Sequence, residues 1–323
     1  MKRREFLGLL ASAATLPPLA PLARAESYPA RPVHVIVGFP PGAASDINAR
    51  LIGDWLSPRF GQQFIIDNRP GAGSNIAAET ALHAPADDYT LLLVTPANAI
   101  NASLYGSLNF DFIRDLAPVA GILRVPLVME VNPSLAVGSV AEFIAYAKAN
   151  PGKVDFASSG NGTGSHVAAE LFKIMTGIDM THVPYRGPAQ ALTDLIAGRV
   201  QVMFDVLTSS IAHIRAGEVR ALAVTTAARS AALPDLPTVA DFVPGYEAGG
   251  WAGIGAPKDT PAAVVDRLNE AINAAFADAA MVAKLGSLGG APMPMTAGEF
   301  GKFLAAETEK WAKVVKFANI KLD

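Results

Sequence analysis

The chain has 323 residues, 51% of them hydrophobic, and a formal net charge of -3. That is enough chain for two domains of ordinary size, and the wrong charge for a nucleic-acid or anionic-membrane partner. The sequence contains 0 Cys, which excludes a disulfide framework, a lipoprotein cysteine, thiol catalysis and zinc-thiolate sites.

Residues 1–25, MKRREFLGLLASAATLPPLAPLARA, read as a cleaved export signal. Basic Lys2, Arg3 and Arg4 precede an Ala/Leu-rich apolar region that ends in the A-x-A site Ala23-Arg24-Ala25. Arg3-Arg4 ahead of Phe6-Leu7 looks like the twin-arginine type, with ordinary Sec export left open. The competing reading, an N-terminal membrane anchor, is opposed by Pro17, Pro18 and Pro21 and by the short apolar length. The mature chain is expected to start near Glu26.

Strand and helix patterns then alternate almost without pause. RPVHVIVGF reads as a buried strand ending in the turn Pro40-Pro41-Gly42, and a helix starting at Ser45 or Asp46 runs to Gly61. Such a turn aims unpaired backbone N–H groups and the positive end of a helix dipole at one point, an anion site that needs no charged side chain. QQFIIDN is a strand, RPGAGSNIAAETALHA a turn and helix, and YTLLLVTP a third strand. RPGAGSN lacks the Lys-Ser/Thr ending of a P-loop and the third glycine of a dinucleotide fingerprint, so it is read as a structural turn.

A second series starts near Val125. VPLVMEV is a strand, and Ser139 to Glu142 forms a capping box opening the next helix. VDFASSG, THVPY, VQVMFDV and VRALAVTT are further strands. FASSGNGTGSHVAAELF, residues 156–172, is a second anion-ready turn and helix start, and a facing pair of these in an exported protein suggests a carboxylate clamp. ALPDLPTVADFVPGYEAGG, rich in breakers, reads as a long surface connection. WAGIGAP returns to strand, Thr260-Pro261 opens a helix, and Thr296 to Glu299 caps a final amphipathic helix through Trp311. The fold expected is α/β with two lobes, each a mostly parallel sheet flanked by helices. Lobe 1 takes residues 26–123 plus 250–323 and lobe 2 residues 124–249, with the chain crossing twice to form a hinge.

Taken together and in order, YPARPVHVIVGFPPGAASD, DNRPGAGSNIAA, DDYTLLL, ASSGNGTGSHVAAELF, HVPYRG, LPDLPTVAD, PGYEAGGWAGIGAP and the Trp311 helix resemble Bug-type receptors. These are the periplasmic solute-binding proteins of tripartite tricarboxylate transporters. The resemblance spans nearly the whole mature chain. It implies two α/β lobes that close like a flytrap on a small organic acid: a di- or tricarboxylate, an acidic amino acid or an aromatic acid. It further implies a periplasmic location and membrane transporter subunits as partners. A monomer without metal or cofactor is expected.

The family's contact loops can be placed residue by residue. Gly42, Ala43, Ala44 and Ser45 would hold one carboxylate through N–H groups; Ala43 stands where many relatives have a second glycine, so a left-handed geometry there is disfavoured. Asp46 is either a first-turn cap or a contact to a ligand amine or hydroxyl. Thr95 and Asn98, after the third strand, either read a ligand polar group or cap a helix. Across the cleft, Ser158, Ser159, Asn161, Thr163 and Ser165 supply hydroxyls, an amide and N–H groups for the opposite carboxylate. His166 is a ligand residue or a structural one. Tyr185, Arg186 and Asp205 approach the cleft if the sheet reading holds; Arg186 could pair with a carboxylate, and Asp205 could meet a ligand amine or orient the hinge.

Rival functions fare worse. Ser159, His166 and Asp205 are the residue types of a hydrolase triad, but no G-x-S-x-G elbow surrounds the serine, and the five His show no metal-ligand spacing. No enzyme activity is expected. A carboxylate sensor presenting its closed form to a membrane kinase uses the same binding physics and stays open.

Overall fold

The computed structural model describes residues 28–85, 89–317 and 320. The export signal, its cleavage site and the two acids of the DDYTLLL motif lie outside the described residues. The chain order is β1 (Val33–Val37), α1 (Ala44–Phe60), β2 (Phe64–Asn68), α2 (Asn75–Leu82), β3 (Thr90–Val94), α3 (Pro96–Leu104) and β4 (Leu116–Val131). It continues with α4 (Val140–Ala149), β5 (Asp155–Ser158), α5 (Gly164–Thr176), β6 (Thr181–Pro184), α6 (Pro188–Ile196), β7 (Val202–Val206), α7 (Leu207–Ala216) and β8 (Arg220–Val224). The last elements are β9 (Gly249–Pro257), α8 (Ala262–Ala274), α9 (Ala279–Ser287), β10 (Ala291–Pro292) and α10 (Ala297–Phe317).

The strands form one curled sheet in the order β2-β1-β3-β9-β4-β7-β5-β6, with β10 and β8 also on β4. The outer ladders β2-β1-β3 and β7-β5-β6 are parallel, as βαβ units require. Between them run β9 and the 16-residue β4, both antiparallel to their neighbours. The first part of β4, Leu116 to Pro126, pairs with β9; from Leu127 to Val131 it pairs with β7 and β8. One strand therefore belongs to both halves of a two-lobed α/β fold.

Alternation along the parallel strands feeds two core layers. Val33, Val35, Val37, Leu91 and Leu93 pack with Leu51, Leu56 and Leu268 on one face. Ile36 and Leu92 join the other core, which reaches Phe143, Phe172 and Trp311. Helix ends follow their local chemistry: Gly61 closes α1 in the left-handed conformation at φ 67, and Ser139 Oγ accepts the Glu142 N–H at the start of α4. The Glu299 carboxylate accepts the Thr296 N–H while Thr296 Oγ1 accepts the Glu299 N–H, a reciprocal cap on α10. No helix among the described residues is long and apolar enough to cross a membrane.

Two expectations change. The strand placed from Val125 begins at Leu116, and its earlier half carries Pro118 and Gly121 beside register shifts against β9. A bulge accommodates a residue without an N–H, so these two breakers do not end the strand. The passage read as a surface connection is anchored instead: Val239, Val243 and Tyr246 are buried, and Tyr246 Oη donates to Ala168 O at 2.9 Å.

Candidate functional site

A cleft with an empty volume of about 630 Å³ opens between the two halves of the sheet. From one side it is lined by Ala43, Ala44, Ser45 and Asn48 of α1 and its entry turn, and by Thr95, Pro96 and Ala97 at the start of α3. From the other side come Ser159, Thr163, Gly164 and Ser165 at the start of α5, Pro188 of α6, and Asp205 and Val206 of β7. Val125, Leu127, Gly250 and Trp251 of the crossing strands form the remaining wall.

The α1 turn is built from its own side chains. Gly42 takes the left-handed φ of 83 that a residue with Cβ resists, while Ala43 is extended at φ -68, ψ 158 and caps the helix. Asp46 is fully engaged. Its Oδ2 accepts the Gly42 N–H at 2.9 Å and Arg50 Nε at 3.1 Å; its Oδ1 accepts Asn68 Nδ2 at 3.0 Å and pairs with Arg50 at 2.9 Å. Burial pushes the Asp46 carboxyl up, but Arg50, the Gly42 N–H and Asn68 outweigh it and hold the group below its usual range. The Gly42 N–H is thus committed to Asp46, and the Ala43 N–H to Pro40 O at 3.2 Å. The open donors of this turn are the N–H groups of Ala44 and Ser45, the first two helical residues of α1.

The α5 turn repeats the arrangement. Thr163 caps the helix, its Oγ1 accepting the His166 N–H and donating to Gly160 O at 2.7 Å. Ser165 Oγ accepts the Ser159 N–H at 2.9 Å. The Ser158 hydroxyl is turned toward His182 Nε2, 2.6 Å away, and does not line the cleft. His166 accepts the Gly162 N–H on Nδ1 at 3.2 Å and stacks on His182 at 3.9 Å between ring centroids. Burial first, then His182 and Lys173, lowers its pKa to about 3, so it stays neutral and keeps the loop closed. Open donors here are the Gly164 and Ser165 N–H groups and the Ser159 hydroxyl. Asn161 is outside the cleft lining; its carbonyl faces Gly73 of the opposite half.

The other candidates divide. Thr95 lines the cleft as the cap of α3, its N–H donating to Asn98 Oδ1 at 2.9 Å, whereas Asn98 is buried behind it. Tyr185 Oη donates to Asp194 Oδ2 at 2.8 Å, and Arg186 is exposed; neither lines the cleft. Asp205 does, buried at the end of β7, and it is the ionisable side chain of the lining.

Sequence reasoning missed Asn48, Ser209 and Trp251. Asn48 stands three residues after Ser45, the helical spacing that puts both on one face. Trp251 opens β9, its Nε1 donating to Glu307 Oε2 at 2.8 Å while its ring packs edge-on against Phe303. Ser45, Asn48 and Ser209 line the cleft, and their buried Oγ, Oδ1 and Oγ atoms have no hydrogen-bond partner among the described residues.

This chemistry suits an organic acid: backbone donors at two ends and apolar walls of Phe39, Pro188, Val125, Leu127 and Trp251 between them. Ser159, His166 and Asp205 do not assemble into a hydrolase triad. His166 Nδ1 is occupied by the Gly162 N–H, and Asp205 bonds Ser210 rather than a histidine. Among the described residues no group of three or more His, Asp or Glu could hold a metal ion.

Residues 48–320 match the model of the tripartite tricarboxylate transporter family receptor. The chain is 37% identical to protein BugT of Bordetella pertussis over 92% of each chain. Its fold matches a solved structure of R. palustris Rpa4515 with adipate at a TM-score of 0.89 and 41% identity, covering 91% of this chain and 99% of that one. A second, MatC of Rhodopseudomonas palustris with bound malate, matches at 0.85 and 29% identity over 89% and 100%.

Proposed function

The chain belongs to the tripartite tricarboxylate transporter receptor family, and from that premise we propose that it captures a small organic acid between its lobes in the periplasm. It then delivers that acid to the membrane subunits of such a transporter, acting as a monomer. The observation that carries this reading is the pair of helix starts on one cavity: Ala44 and Ser45 line it from one half, Gly164 and Ser165 from the other. A hydrogen bond to a carboxylate is worth about 1.5–3 kcal/mol, and several are needed because stripping water from the anion is costly. Among the described residues no Lys or Arg lines the cleft, so selection falls on shape and on directed donors.

The exchange of partners along β4 supports lobes at residues 26–123 plus 250–323 and at 124–249, hinged where β4 and β9 cross. Export through residues 1–25, with cleavage after Ala25, completes the reading. The adipate and malate held by the related R. palustris proteins make dicarboxylates the first compounds to try. A thermal-shift screen of the purified protein against organic acids tests it. A fitting acid that binds the native state stabilises it by mass action, so Tm rises with the logarithm of acid concentration above Kd. A panel of aliphatic and aromatic acids producing no shift, with calorimetry silent at millimolar concentration, overturns the proposal.

A further inference from the structure

Two buried acids beside the cleft share one serine. On the β4–β7 ladder Val128 pairs with Asp205 and Glu130 with Met203, so Glu130 and Asp205 are diagonal neighbours on one face. Helix α7 lays Ser210 across both. Ser210 Oγ lies 2.9 Å from Glu130 Oε1 and 2.9 Å from Asp205 Oδ2, with all three residues buried. One hydroxyl carries one proton and can donate to only one carboxylate. The other carboxyl must bring a proton of its own and donate it to the serine oxygen.

Glu130 is that acid. It is wholly enclosed, its Oε2 has no hydrogen-bond partner among the described residues, and burial next to Asp205 raises its pKa well above the ordinary value. The order then runs from the Glu130 O–H to Ser210 Oγ, and from the Ser210 O–H to Asp205. Burial raises the Asp205 pKa, while the Ser210 hydroxyl, the Val206 N–H and His213 act to lower it. The cleft wall therefore presents an acceptor oxygen at a place where a plain dicarboxylate offers only acceptors.

We propose that Asp205, kept as an acceptor by the Glu130–Ser210 pair behind it, determines specificity in this cleft by selecting organic acids that carry a hydroxyl or ammonium donor over the same acids without one. The proposal rests on the receptor reading above and narrows its substrate class. A site built to bond a donor discriminates strongly against the analogue lacking it, because its own polar group is left unpaired.

The test is calorimetric titration at pH 7.5 of the full exported chain with succinate, glutarate and adipate, each beside its 2-hydroxy and 2-amino derivative. For at least one chain length a donor-bearing acid is expected to bind at least about tenfold tighter than its parent. In Asp205→Ala that ratio is expected to fall to within about twofold. Should Asp205→Ala melt early, Asp205→Asn keeps the shape and the Ser210 contact, and the preference for the amino acids is expected to collapse there as the charge is lost. Parent acids binding as tightly as their derivatives in the wild type, or a preference that survives in folded Asp205→Ala, overturns the inference while leaving a carboxylate receptor standing. Silence from all nine compounds and from the wider acid panel removes the receptor reading, and this inference with it.

Discussion

At the scale of single residues, Asp46 shows how a side chain can serve a binding turn without touching the cleft. Its four contacts fix Gly42, Arg50 and Asn68 around the start of α1, leaving no free oxygen for a ligand. Asp46→Ala removes the acceptor shared by the Gly42 N–H, Arg50 and Asn68 Nδ2 and is expected to cost about 1–3 kcal/mol, read as a lower Tm. The pH dependence has a definite sign. The folded carboxyl titrates below its unfolded value, so its stabilisation is present above that unfolded value and is lost as pH falls through the lower folded one. Melting curves of wild type and variant are therefore expected to differ at pH 7 and to converge in acid. A gap in Tm that persists unchanged to about pH 2 sinks this account of Asp46. From sequence, Asp46 could be a cap or a ligand contact; its partner Asn68 lies on another strand, and local spacing carries no information about that meeting. Tyr185 and Asp194 are alike in this respect: their bond is set by how β6 and α6 pack, and it turns the tyrosine hydroxyl away from the cleft.

Elements were far more legible than side-chain partners. The strand, glycine turn and helix at residues 37–56 and 156–172 place backbone N–H groups by geometry alone, so both cradles could be read before any side-chain direction was known. The helix expected from Ser45 or Asp46 starts at Ala44. The early half of β4 was hidden because Pro118 and Gly121 break the strand pattern locally, and only pairing with β9 rescues it. A test of the cradles belongs to this scale. Ala44 and Gly164 are the first helical residues of α1 and α5, and the residues before them are already extended, at ψ 158 for Ala43 and ψ 162 for Thr163. Proline fits such a position and removes one N–H without disturbing the helix. Ala44→Pro and Gly164→Pro are each expected to keep Tm near wild type while weakening ligand binding about tenfold or more, the loss of one charge-assisted bond. Full affinity in both folded variants would mean that the carboxylates lie elsewhere.

For the whole molecule, the structure brings the two halves into contact at the cleft mouth. A Cβ added at Gly73 would sit 2.4 Å from Asn161 O, one at Gly162 would sit 1.9 Å from Asn101 Oδ1, and one at Gly187 would sit 3.1 Å from Pro40 Cγ. Loops of one half thus meet loops of the other, with no room for a methyl group at Gly73 and Gly162 and a tight fit at Gly187. Meanwhile β4 and β9 tie the halves at the back. On the proposed receptor reading β4 and β9 act as the hinge, and ligand affinity then includes the free energy of closing this seam. Gly162 is the sharpest probe, since its φ of 73 and the nearby Asn101 amide both oppose a side chain. Gly162→Ala is expected to leave the halves folded and the α5 donors intact but to hold the jaws apart, lowering affinity at least about tenfold. Small-angle scattering should then show the wild type contracting as its ligand saturates, and the variant contracting less at equal occupancy. Equal contraction with unchanged affinity would show that the seam does not govern capture. Binding would then be set within the cleft walls alone, by the donors of α1 and α5 and the acceptor on β7.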